Sequence, residues 1–217
     1  MTAHLTHLTQ FALPAKKILL RKGKEKAKSN SAAPLSLVVQ DPQPVFDEVR
    51  LTEFTGRQWL IDQVDRFRTE QACGFVVIQA DPGLGKTTVA ARLVQQRGYL
   101  SHFTCLGNRS APAALRNLSA QLIARFALEK YLRSKNAVPS WAHTTEGFSW
   151  LLQLAAEKAT VSSGQVVLVV DGLDEAEPAE DGLPLGLPRS LPDGVFIITT
   201  CRPDTPVPVE SLTCTRS

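Results

Sequence analysis

One stretch constrains this chain more than any other: Ala80-Asp81-Pro82-Gly83-Leu84-Gly85-Lys86-Thr87-Thr88. The apolar run Gly74–Gln79 leads into it, and Val89-Ala90-Ala91-Arg92-Leu93-Val94 leads out of it as a helix. Strand, glycine-bearing loop and helix, in that order, form the setting that a phosphate-binding loop requires. Gly83 and Gly85 let the backbone aim N–H groups inward with no Cβ in the way. The new helix brings the positive end of its dipole to the same point. Pro82, Gly83, Leu84, Gly85 and Thr88 would then cradle phosphates. Lys86 would reach the β- and γ-phosphates as a point charge, and the Thr87 hydroxyl would ligate Mg²⁺. Ala80 stands where the common pattern has its first glycine, a position that usually takes alanine. An ordinary glycine-rich turn is the competing reading, and Gly-Lys-Thr-Thr in this setting argues against it.

The 217 residues suffice for one large α/β domain with extra segments. Apolar content of 43% with 21% charge fits a soluble globular protein, and no apolar run approaches a membrane span. No secretory signal opens the chain. Cys73, Cys105, Cys201 and Cys214 show no CxxC spacing, which favours buried thiols in a reducing cytoplasm over a disulfide frame or a zinc site. The formal charge of +3 hides an asymmetry: residues 1–30 carry seven basic side chains and one acid, so the remainder is at −3. No aromatic residues interleave those lysines. A solvated leader is favoured over a nucleic-acid arm, with at most weak contact to polyanions.

Read in order, the chain divides into a basic leader and linker (1–44), a core (45–203) and an irregular tail (204–217). The two prolines of Asp41-Pro42-Gln43-Pro44 argue against regular structure there. Trp59, Leu60, Val64 and Phe67 fall on one helical face, and Gly56-Arg57 forms a turn before it. Tyr99–Cys105 reads as a strand. Helices follow from Ser110, as a cap, through Phe126, and over Thr145–Lys158; Trp141 and Trp150 read as packing residues. The run Val166–Val170 is typical of a strand covered on both faces, and it ends in Asp171-Gly172-Leu173-Asp174-Glu175.

A carboxylate at the C-terminal tip of a central parallel strand lies where such sheets bind ligands. Asp171 is thus placed to hold the Mg²⁺ shell opposite Thr87, and Asp174 and Glu175 lie within reach of an attacking water. An acidic solvent loop is the plainer alternative; it fits Glu177 and Glu180 but not the abrupt change from apolar strand to Asp-Gly-Leu-Asp-Glu. A last buried strand, Val195–Thr200, runs into Cys201-Arg202-Pro203, where Arg202 is placed to sense a γ-phosphate or to form a surface ion pair. These features predict an α/β fold: a three-layer α/β/α core with a mostly parallel sheet.

In this order, Phe54-Thr55-Gly56-Arg57, Ala80–Thr88, Val166–Glu175 and Ile197–Pro203 resemble the NACHT class of STAND P-loop NTPases. The resemblance implies ATP or ADP binding with Mg²⁺, slow hydrolysis and a signalling switch, with Gly56 and Arg57 near the base and ribose. It ranks Asp174 slightly ahead of Glu175 as the water-directed acid. Members of that class continue past the stretch matched by Arg202 with a fifth strand and helical and winged-helix domains. The resemblance therefore implies a core incomplete at its C-terminal end, with one edge of the phosphate-loop strand uncovered and open to self-association, as an NTPase face would also be. A nucleotide-holding switch without turnover, and an inert fragment of a larger protein, are the alternatives.

Overall fold

The computed structural model describes residues 2–5, 34–49, 56–132, 137–162, 164–178, 183–205, 207 and 213–215. In chain order the elements are β1 (Thr2–Leu5), α1 (Leu35–Val38), α2 (Gln43–Glu48), α3 (Gln58–Glu70), β2 (Gly74–Gln79), α4 (Lys86–Arg97), β3 (Leu100–Phe103), α5 (Ala111–Phe126), α6 (Glu129–Leu132), α7 (Thr145–Val161), β4 (Val166–Asp171), β5 (Ser190–Pro192), β6 (Val195–Cys201) and β7 (Thr213–Thr215). The central sheet has the order β1-β2-β6-β4-β3, with β2, β6, β4 and β3 parallel and β1 antiparallel at the edge. This is the predicted α/β class.

Alternation along each strand builds two cores. Phe75 and Val77, Leu168 and Val170, and Val195 and Ile197 face a layer containing α1, α5 and α7. Val76 and Ile78, Val167 and Val169, and Phe196 and Ile198 face α2, α3 and α4. Strands buried on both faces need no polar alternation, which is why β2, β4 and β6 read as continuous apolar runs. Three parallel strand tips, those of β2, β4 and β6, therefore end side by side at one rim of the sheet.

The phosphate-loop strand β2 has β1 on its outer side, which corrects the expected open edge there. Thr2–Leu5 pairs antiparallel with Val76–Gln79, so part of the basic leader forms a strand. The lysine-rich remainder of the leader lies outside the described residues. At the opposite edge two glutamine amides stand in for a neighbouring strand. Gln40 donates to the Phe103 carbonyl at 2.9 Å and accepts from the Phe103 N–H at 2.7 Å. Gln121 does the same for Ser101, at 2.7 Å and 2.9 Å. At this β3 edge the outward-facing ladder groups of Ser101 and Phe103 are thereby satisfied inside the chain, which blunts pairing there.

Several local expectations need revision. The folded body begins before Val45, since Leu35 is buried against the α5–α7 core. Pro44 lies in the first turn of α2, where its missing N–H leaves no helical bond unmade. Ile61 takes the buried position on α3 while Trp59 is exposed, and Trp141 and Trp150 are exposed too, packed edge-to-face on each other. Past Asp204, Thr213–Thr215 pairs with Ser190–Pro192 in a small second sheet. Of the cysteines, Cys201 is a buried free thiol and Cys105 an exposed one, but Cys73 is disulfide-bonded. The expectation of free thiols fails at Cys73, and the argument for a reducing compartment loses that support. No helix among the described residues is long and apolar enough to cross a membrane.

Under the β3 edge, His102 is fully buried. Its Nε2 donates to the Asn108 carbonyl at 2.9 Å, and its Nδ1 accepts from the Asn117 amide at 3.1 Å, an arrangement that requires the neutral ring. Burial holds its pKa below the ordinary histidine value. The unfolded chain therefore binds the proton more readily, and stability should fall as pH drops from about 7 to about 5, by at most about 1.4 kcal/mol per pH unit from this group. Urea unfolding across that range should show the slope, and His102→Asn should flatten it.

Candidate functional site

The loop after β2 takes the conformation that its glycines permit. Gly85 has φ of +70° and forms the N-cap of α4, so a side chain there would be strained. It would also be crowded: a Cβ would stand 2.6 Å from Nη1 of Arg57. Arg57 donates from that nitrogen to the Gly85 carbonyl at 2.8 Å, so this residue of the Thr-Gly-Arg segment braces the loop directly. Lys86 Nζ donates to the carbonyls of Ala80 at 2.7 Å and Asp81 at 3.2 Å, tying the two ends of the loop together. The first N–H groups of α4, which starts at Lys86 directly after this loop, have no helical partners.

The other side of the site is the tip of β4. Asp171 is 3% exposed, and each of its oxygens accepts a hydroxyl hydrogen bond. Thr87 Oγ1 donates to Oδ2 at 2.9 Å from the first turn of α4, and Thr200 Oγ1 donates to Oδ1 at 2.6 Å from the neighbouring strand β6. Thr200 also accepts from the Gly172 N–H at 3.0 Å, and Thr104 Oγ1 donates to the Asp171 carbonyl at 2.8 Å. The ends of β4 and β6 and the first turn of α4 are thus pinned at one carboxylate, and the segment after β3 at the same residue's backbone carbonyl. Beyond it, Asp174 Oδ2 pairs with Arg202 Nε at 2.8 Å.

These groups line one open cleft of about 300 Å³. Pro82, Gly83, Gly85, Lys86 and Thr87 form one wall; Asp171, Asp174, Glu175, Thr200 and Arg202 form the other. Every predicted group from the acid-bearing strand and from β6 is therefore present. Of the other predicted residues, Leu84 projects to solvent and Thr88 is half-buried outside the lining. Gly56 is an exposed bend, and Arg57 acts on the loop from behind Gly85 rather than lining the cleft. Thr200 was not singled out from the sequence. The signal for it was the polar pair Thr199-Thr200 closing an apolar strand level with the β4 tip.

The acidic wall is electrostatically loaded. Burial pushes the Asp171 carboxyl above the usual range; the Thr200 and Thr87 hydrogen bonds act the other way, and Glu175 and Asp174 add to the rise. The same field is felt at Cys105, whose thiol is pushed up to about 11 by burial first and then by Asp171 and Glu175. A carboxylate and a hydroxyl oxygen 2.9 Å apart in such a field suit Mg²⁺, a hard cation that keeps waters and phosphate oxygens as its remaining ligands. Among the described residues no group of three or more His, Cys, Asp or Glu could hold a metal ion unaided. A cation here would depend on a phosphate ligand brought to the cleft.

Thr200 offers a structural check. Thr200→Val keeps the shape but leaves one buried carboxylate oxygen and the Gly172 N–H without their partner, which should cost about 2 kcal/mol of stability in urea unfolding. Thr200→Ser should recover most of it.

No curated protein and no solved structure matches the chain significantly. The sequence profile described as Nephrocystin 3, N-terminal, matches residues 55–191, from the turn before α3 through the glycine-rich loop and the acidic strand to β5. That stretch is more than half of the chain, which therefore belongs to the nephrocystin 3 N-terminal family.

Proposed function

We propose that the chain is a NACHT-like, ATP-binding NTPase domain that holds ATP or ADP with Mg²⁺ in the cleft between the phosphate loop and the β4 tip, and that slow hydrolysis there serves as a signalling switch. The observation that carries this reading is the 2.9 Å hydrogen bond from Thr87 to Asp171, which joins the end of a glycine-rich loop to an acid at the next-but-one strand tip. A glycine-rich turn with a merely structural role has no need of a buried carboxylate facing it.

In this reading the loop N–H groups and the α4 dipole bind the β-phosphate region. Lys86 exchanges its contacts with the Ala80 and Asp81 carbonyls for phosphate oxygens. Thr87 and Asp171 would hold Mg²⁺, which when bound neutralises charge on the β- and γ-phosphate oxygens. Thr200 keeps the Asp171 carboxylate oriented. A water oxygen forms a bond to the γ-phosphorus while the bond to the β,γ-bridging oxygen breaks. The products are ADP and inorganic phosphate, and the water proton passes to an acid of the β4 tip. Arg202, at the tip of β6, faces the same cleft as a cation for the terminal phosphate.

A fluorescent ATP analogue titrated in the presence of Mg²⁺ tests the reading. Wild-type chain should bind it, and Lys86→Ala should weaken binding by about ten- to a hundredfold, the scale of lost hydrogen bonds to a charged group. MgATP should raise the melting temperature of the wild type but not of the variant. Equal binding by both would remove the phosphate loop from the account. Binding without release of phosphate would favour a switch that holds nucleotide without turnover.

A further inference from the structure

We propose that Asp174 is a positioning residue that anchors Arg202 at the rim of the cleft, and that Glu175 is the carboxylate that orients the attacking water. This assignment rests on the nucleotide reading above and reverses the order that the family resemblance implies for the two acids.

The geometry separates neighbours that the sequence leaves equivalent. Asp174 Oδ2 is engaged by Arg202 Nε at 2.8 Å, across the gap between the β4 and β6 tips. The acid is the inner partner, with 12% of its side chain exposed, and the arginine the outer one, with 55% exposed. Such a pair holds the guanidinium by its Nε edge. Nε is used, and the two terminal nitrogens keep their donors in the same rigid plane, matched to a phosphate. An acid that directs a water needs a lone pair free toward the reacting atom. The paired oxygen of Asp174 already meets a charged donor.

Glu175 is held differently. Its N–H bonds to the Gly172 carbonyl at 3.0 Å, closing a tight turn after the strand. Its carboxyl carbon lies 3.6 Å from the point where a Cβ on Gly172 would stand, so the side chain folds back over that bare glycine, beside the Asp171 tip. It makes no side-chain hydrogen bond or ion pair among the described residues. Within the cleft it is the acid whose oxygens are uncommitted, and it would accept the water proton as the new bond to phosphorus forms. Arg202, oriented by Asp174, would meet a group that ATP has and ADP lacks, which makes the pair a determinant of triphosphate over diphosphate.

The experiment measures MgATP turnover together with affinities for a non-hydrolysable ATP analogue and for ADP. The proteins are wild type, Glu175→Gln, Asp174→Asn, Arg202→Ala and the Asp174→Asn/Arg202→Ala double variant. Glu175→Gln should lose turnover by about a hundredfold or more while keeping its preference for the ATP analogue. Asp174→Asn and Arg202→Ala should each reduce that preference by about tenfold, and the double variant should be no worse than Arg202→Ala alone. The exposed Arg202 site tests the arginine's part even if Asp174→Asn melts early. The proposal is overturned if Asp174→Asn abolishes turnover with the ATP-to-ADP ratio unchanged, if the two substitutions add, or if Arg202→Ala leaves the ratio intact. Failure of the nucleotide reading looks different: the wild type would bind neither nucleotide.

Discussion

The structure turns on one buried carboxylate. Asp171 sits at the end of a strand covered on both faces, where an ionised group is costly unless its oxygens are occupied. Thr87 occupies one and Thr200 the other. Those two hydroxyls belong to the helix after the glycine-rich loop and to the neighbouring strand, so satisfying the acid also fixes the relative placement of α4, β4 and β6. Thr104 adds a bond to the same residue's carbonyl from the segment after β3. The arrangement that stabilises the rim is also the one that would present oxygen ligands to a nucleotide-bound cation.

Much of this was legible in the sequence because it depends on local chemistry. The glycine-rich loop announces itself through glycine spacing between a strand and a helix, and β2, β4 and β6 through apolar runs too long for a half-exposed strand. Asp171 follows from the abrupt end of such a run. What escaped depends on long-range pairing. Nothing in Thr2–Leu5 marks it as the partner of Val76–Gln79, and nothing in Gln40 or Gln121 marks their amides as substitutes for a missing strand. Thr200 looked like one of two polar residues at a strand end, and only the register of β6 against β4 reveals which one meets the acid. Trp59 misled because helical spacing alone puts it beside Leu60, whereas packing against the sheet selects Ile61.

The pairing of β2 with β1 and the capping of β3 change which edges the sheet presents. An α/β sheet that ended at the phosphate-loop strand would present free ladder groups to any passing strand. Here β1 takes that position antiparallel to β2, and on the far side side-chain amides take it. The strand that leads into the glycine-rich loop is therefore backed by the chain's own N-terminal segment, and β1 takes over as the edge on that side.

The most direct test of the central claim is the Mg²⁺ dependence of nucleotide binding in wild type and Asp171→Asn, measured by titrating a fluorescent ATP analogue with Mg²⁺ present or chelated. If Asp171 and Thr87 share a cation with the phosphates, chelation should weaken binding strongly in the wild type and hardly at all in the variant, whose affinity should already be low. The same response to chelation in both proteins would contradict the account.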